Sequence, residues 1–299
     1  MPPKSLFLLP LALGALLAQT DQPPAGDEAL KLAAMNGLMH ADPARALPLV
    51  ERILARPASP RFHQQAIHLL SESDSPQARG AILRIARAGT NPTLQSQAVR
   101  AIGAHGKTEN RQVLAEIYSG ATNADLKKQV LRAYHSAGDR DRVFAIAKSD
   151  ADPNLRREAI RTLGGLGAQA QLTELYRTEQ STDVRSAILR GFMASGDSAK
   201  LIEIAKSEKD PTLRQRAIQY VGNTDAPAAT DALLALYKTA PDSETRRHIL
   251  RSLARRQSAK ALVDLARTEK DPELRRTAVQ HLTHLKSPEA TAYLMDLLK

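Results

Sequence analysis

The sequence predicts an all-α fold, an α-solenoid of stacked helix-turn-helix units, about eight of them with an atypical unit at each end. Three observations predict it. A short helix-capping motif recurs at a nearly constant step, apolar residues follow each copy at helical spacing, and the composition lacks the residues that sheets draw on. Aromatics make up 3% of the 299 residues, with no Trp, while hydrophobic residues reach 42% and charged residues 25%. Cys is absent, which excludes disulfides, thiolate metal sites and Cys nucleophiles. Lys and Arg number 42 against 32 Asp and Glu, a net charge of +10.

Taken in order, the chain opens with a positive start, Met1 to Lys4, and an apolar run of 13 residues, Leu6 to Ala18. A membrane span needs about 20 such residues. The layout therefore reads as a secretory signal peptide over residues 1–18, cut after Ala18. Residues 19–26 (QTDQPPAG) read as a flexible leader, and residues 27–299 as the solenoid. The expected mature protein is exported, periplasmic or secreted, with no stable membrane span once the signal is removed.

The solenoid is read from its anchors. Asp152-Pro153, Asp210-Pro211, Asp271-Pro272 and Asn91-Pro92 share one pattern, and weaker copies run through Pro60, Ala124, Thr182 and Ser243. The steps between successive anchors are 32, 32, 29, 29, 29, 32 and 29 residues. Asp or Asn caps a helix, and Pro follows at the first helical position, where its missing N–H costs nothing. Apolar residues then fall on one helical face, as in Leu155, Ala159, Ile160 and Leu163, in Leu213, Ala217, Ile218 and Val221, and in Leu274, Ala278, Val279 and Leu282. A second amphipathic helix precedes each anchor. Examples are Val143-Phe144-Ile146-Ala147, Leu201-Ile202-Ile204-Ala205 and Leu262-Val263-Leu265-Ala266. Neither helix can bury its stripe alone, so the units must stack.

The pattern Asp-Pro-x-Leu-Arg-x-x-Ala-Ile-x-x-Leu-Gly resembles the HEAT repeat, and its short period is similar to the HEAT-like subtype of bilin lyases. The resemblance covers Asp27 to Lys299. It implies a curved superhelix whose second helices line the concave face and bind other macromolecules. The copies at Thr182 and Ser243 depart from it by lacking Pro, and the copy at Ala124 lacks both Pro and Asp.

The ends differ from the middle. Glu28 to His40 and Asp42-Pro43 to Arg56 form a variant cap, with Pro48 expected to kink its helix. At the other end Ser287-Pro288 starts a first helix with no second helix after it, which either closes the stack or leaves an apolar end for self-association.

Charges fall into columns. Arg156, Arg185, Arg214 and Arg275 stand three residues after their anchors, and Asp150, Glu179, Glu208 and Glu269 three before. This pairing reads as a structural ladder of partly buried Arg–carboxylate bonds, between turn and helix or between adjacent units. Four and eight residues after the anchors stand Arg100, Lys128, Arg132, Arg157, Arg161, Arg190, Arg247, Arg251 and Arg276, interrupted by Gln215 and Gln219. These read as a basic stripe for an acidic protein segment, or alternatively as an ordinary solvated face.

Enzyme signatures are missing. There is no His-Glu-x-x-His, Gly-x-Ser-x-Gly, P-loop or dinucleotide glycine run. No His is followed by Glu, so the paired iron site of HEAT-like hydroxylases has no counterpart. His281 and His284 lack an evident third ligand, so no metal and no cofactor is expected. The reading is a non-enzymatic exported scaffold that docks a protein partner on its concave face. The alternatives are an accessory or lyase-like role resembling the HEAT-like bilin lyases, and polyanion or nucleic-acid binding through the stripe. Export and the lack of Trp disfavour nucleic acid.

Overall fold

A computed structural model of the protein describes residues 25–73, 75–88, 91–104, 108–240 and 242–299. Among these residues it holds eighteen α-helices and no strand, an α-solenoid of helical hairpins. The signal segment 1–18 and leader residues 19–24 lie outside the described residues. All eight anchors are the first residue of a helix. The described residues group into two compact units, one up to Ala101 and one from Ile102 on.

The first unit contains α1 (Ala25–Ala41), α2 (Pro43–Leu54), α3 (Pro60–Glu72), α4 (Pro76–Ala88) and most of α5 (Pro92–Ala104). Ala25 and Gly26, expected in the leader, are already helical. Asp27 and Glu28 in the first turn suit the positive end of the helix dipole. Glu28 ties α1 to the turn before α3 by accepting from Ser59 N–H at 2.8 Å and Ser59 Oγ at 2.5 Å. These two bonds hold its carboxyl below the usual range. Asp42 caps α2, and the helix runs on through Pro48. Phe62, Ala66, Ile67 and Leu70 form the core with Leu47, Val50 and Leu54.

The second unit contains α6 (Thr108–Gly120), α7 (Ala124–Ser136), α8 (Arg140–Ser149), α9 (Pro153–Gly165), α10 (Gln169–Thr178), α11 (Thr182–Ala194), α12 (Ser198–Ser207), α13 (Pro211–Asn223), α14 (Ala229–Thr239), α15 (Ser243–Arg255), α16 (Ala259–Thr268), α17 (Pro272–Thr283) and α18 (Pro288–Asp296). Odd helices form one row and even helices the other. Successive odd helices pack directly on one another, whereas even helices approach less closely. The odd row is therefore the inner side of this stack. The three anchors without Pro keep their helices because other side chains cap them. Asn123 accepts from Asp125 N–H, Ser181 from Val184 N–H and Asp242 from Thr245 N–H.

The expected apolar stripes are buried, with Leu155, Ile160, Leu163, Leu213, Ile218 and Val221 at 2% exposure or less. Val279 of α17 is only half-buried, since no odd helix packs beyond α17 among the described residues, and Phe144, Ile146 and Ile202 on the even helices are half-buried as well. Within α18, Ala290 and Tyr293 are buried, while Met295, Leu297 and Leu298 at and just beyond its end are exposed.

Close approach inside the odd row alternates. A Cβ on Gly103 would lie 2.5 Å from Ala133 Cα, one on Gly164 2.9 Å from Gly191 Cα, and one on Gly222 2.6 Å from Ser252 Cβ. These small-on-small crossings join α9 to α11 and α13 to α15, and Gly103 to α7. At the intervening crossings the matching positions hold His135 with Thr162, Met193 with Tyr220, and Ala254 with His281. The structural period of the second unit is thus two hairpins.

Candidate functional site

Helix charge in the second unit is segregated by row. Odd helices α7 to α17 carry sixteen Lys and Arg against five Asp and Glu, whereas even helices α6 to α18 carry ten against nine. The excess positive charge belongs to the inner row.

Of the nine stripe residues, Arg100 lies exposed on α5 of the first unit, and the other eight lie on α7, α9, α11, α15 and α17. Four of these are engaged on their own helices. Lys128 reaches Asp125 at 3.4 Å, Arg157 donates to Asn154 Oδ1 at 2.6 Å, Arg161 pairs with Glu158, and Arg276 reaches Glu273 at 3.2 Å. Arg247 and Arg251 are exposed on α15, and Arg247 acts electrostatically on Asp271 in the next turn. Arg132, Arg190 and Arg251 make no side-chain hydrogen bond or ion pair with a described residue. On α13 the row is broken, and Gln215 Nε2 meets His248 Nδ1 of α15 at 3.2 Å.

The ladder column forms bonds between units, and the pairs six residues apart are not the ones made. Lys127–Asp150, Arg156–Glu179, Arg185–Glu208 and Arg246–Glu269 all pair across 23 residues, at 3.9, 2.6, 2.7 and 4.0 Å. The reason is stacking register: the side chain three residues into an odd helix faces the turn of the next hairpin, not its own. Where the next turn offers Ala240 instead of an acid, Arg214 donates to its own turn at Glu208 O, 3.1 Å. Arg275 is exposed, with no following odd helix among the described residues.

Sequence reasoning missed the tyrosines. Tyr118, Tyr176 and Tyr237 donate to Asp150, Glu208 and Glu269 at 2.8, 2.5 and 2.5 Å. Lys127, Arg185 and Arg246 lie over the same three rings at 5.0, 4.4 and 5.6 Å. Each triad keeps the same intervals, with the cation nine and the acid 32 residues after the Tyr. The signal was present: Tyr stands six residues before the anchor in each hairpin lacking Pro, and Ala147, Ala205 and Ala266 stand there in the hairpins that have it. Each acid also closes its own turn, as Glu208 does by accepting from Asp210 N–H at 3.0 Å. Burial works to raise the Glu208 carboxyl, but the Tyr176 hydroxyl, the turn N–H groups and Arg185 outweigh it and hold it below 4.5. Burial, then the carboxylate, pushes the Tyr176 hydroxyl up from its ordinary value. The triads are joints, each tying two hairpins together.

His281 is half-buried, and burial, Arg251 and His284 lower its pKa. Among the described residues no three His, Asp or Glu converge on a point that could hold a metal. No helix among them is long and apolar enough to cross a membrane.

Residues 198–267 match the family model for HEAT repeats. A search of curated proteins finds no match to the chain. Among solved structures the chain is similar to human deoxyhypusine hydroxylase in complex with glycerol, at 15% identity and a TM-score of 0.34, covering 79% of this chain and 92% of that one. It is also similar to the complex of CpcE and CpcF of phycocyanin lyase from Nostoc, at 17% identity and a TM-score of 0.36, covering 76% and 97%. A third similar structure is YibA of Escherichia coli, at 14% identity and a TM-score of 0.40, covering 81% and 92%.

Proposed function

We propose that this protein is a non-enzymatic, exported scaffold that docks an acidic segment of a partner protein on the face of its odd helices. The observation that carries the reading is the segregation of charge between the two rows. The helices of one row carry sixteen cations against five acids, and even with Lys127, Arg156, Arg185 and Arg246 set against the turn acids Asp150, Glu179, Glu208 and Glu269 that row stays positive and attracts and orients an acidic chain, while the near-balanced row opposite is an ordinary solvated surface. A rigid stack keeps those cations in place, because the triads and glycine crossings fix each hairpin against the next. The basic N-terminal start followed by the apolar run 6–18 supports export.

The test is binding of fluorescent poly-L-glutamate to the purified protein at low and moderate salt. The wild type is expected to bind, with an affinity that falls as salt rises. Charge reversal by R132E, R190E, R247E and R251E together is expected to abolish the signal. Binding that survives this reversal would remove the odd-row face as the docking surface.

A further inference from the structure

At one position of the second unit's odd helices three cations differ from the other residues there, and Arg100 of α5 in the first unit, at the same position, shares their exposure and their lack of an acid three or four residues away. Arg132, Arg190 and Arg251 occupy the same place in their hairpins, eight residues after Ala124, Thr182 and Ser243. All three are exposed. None has an Asp or Glu three or four residues away in either direction, so no intrahelical partner is available. None reaches an acid of a neighbouring helix among the described residues. The helix dipole accounts for a cation in the C-terminal half of a helix, but not for the want of an acid beside it in three separate helices. On the helices between them the equivalent position is neutral: Arg161 of α9 is paired with Glu158, and α13 holds Gln219.

At this position uncompensated charge therefore recurs on α7, α11 and α15, every second odd helix of the second unit; Arg216 of α13 and Arg255 of α15 also lack an acid three or four residues away, but stand at other positions in their hairpins. Packed helices stand about 10 Å apart, so the recurrence is roughly 20 Å. An extended polypeptide advances about 3.3 Å per residue and covers that interval in about six residues. A nucleic-acid backbone fits less well, since each strand of a duplex carries a charge every 3.4 Å or so and would lay most of them over the neutral positions.

We infer that Arg132, Arg190 and Arg251 form a spaced row that reads an extended acidic segment of a partner protein with carboxylates about six residues apart. This rests on the odd-row reading above and specifies its ligand. Arg161 and Arg157, already engaged by Glu158 and Asn154, then contribute little to recognition.

The experiment compares two fluorescent peptides of equal composition in a Gly/Ser/Thr background, one with three Glu six residues apart and one with three adjacent Glu. Each is titrated against the full chain, against R132Q/R190Q/R251Q, and against K128Q/R157Q/R161Q/R276Q, with helicity checked by circular dichroism. An exposed pair changes affinity about two- to threefold. The wild type is expected to prefer the spaced peptide about fivefold. The unpartnered-arginine variant is expected to lose about tenfold on that peptide, and the paired-cation variant less than about threefold. Equal affinity for the two peptides, or equal loss in both variants, overturns the spaced row and leaves the broader odd-row reading standing. No binding of either peptide or of poly-L-glutamate overturns both. Tighter binding of a single-stranded oligonucleotide of equal charge overturns the assignment of the partner as protein.

Discussion

The Tyr176 hydroxyl donates to Glu208 Oε2 at 2.5 Å, and Arg185 reaches the same oxygen at 2.7 Å while its guanidinium lies over the Tyr176 ring. Three elements of two hairpins, α10, α11 and the turn before α13, meet at one carboxylate. The hydrogen bond recurs at Tyr118 with Asp150 and Tyr237 with Glu269. This repetition sets the rigidity on which any docking face depends.

Removing the hydroxyl should loosen the joint. Y176F deletes a hydrogen bond to a charged acceptor, which costs about 1.5–3 kcal/mol. R185A leaves a partly buried carboxylate without its cation and is expected to cost about 3 kcal/mol. Urea unfolding of the single and double variants measures both, and the double variant should lose less than the sum. A loss below about 0.5 kcal/mol for Y176F would show that the joint carries no stability.

Acid should open the same joints. Glu208 and Glu269 are held below the ordinary 4.5, against the pull of burial, by the tyrosine hydroxyls and turn N–H groups. A carboxylate depressed in the folded state contributes stability above its unfolded pKa and loses it as pH falls through the folded one. Thermal stability is therefore expected to hold down to about pH 4.5 and to fall below it, with a shallower fall in Y176F/Y237F. A pH profile identical in the two proteins would contradict this.

Alanine at two glycines should act with opposite sign. Gly37 lies in helix α1 with open space around it, so G37A gains helix propensity and is expected to stabilise by up to about 1 kcal/mol. Gly164 lies 2.9 Å, measured from a Cβ built on it, from the backbone of Gly191, so G164A must push α9 and α11 apart. A loss of about 1–3 kcal/mol is expected in thermal or urea unfolding. Similar stability changes in the two variants would show that the crossing is not close-packed.

Much of the fold was legible because its signals are local. Asp152, Asp210 and Asp271 cap through N–H groups two or three residues on, so the cap and its spacing are written in one short segment. The ladder was legible only as two columns of opposite charge. Its partners lie 23 residues apart because of the register in which hairpins stack, and the pairing Arg185–Glu208 cannot be told from Glu179–Arg185 without that register. The alternation was on view in Tyr118, Tyr176 and Tyr237. Aligning single hairpins made Ala124, Thr182 and Ser243 read as weak copies, when they are regular members of a two-hairpin repeat. The stripe was legible as positions, but its division into paired and unpaired cations depends on whether an acid such as Glu158 stands beside each arginine.

The most direct measurement compares two variants of identical net charge in titrations with poly-L-glutamate. One carries R132E, R190E, R247E and R251E on odd helices, the other K148E, K206E, K238E and K260E on even helices. The first is expected to lose binding while the second retains it within about threefold. Equal loss in both would mean that the ligand senses only total charge, and the two rows would then not differ in function.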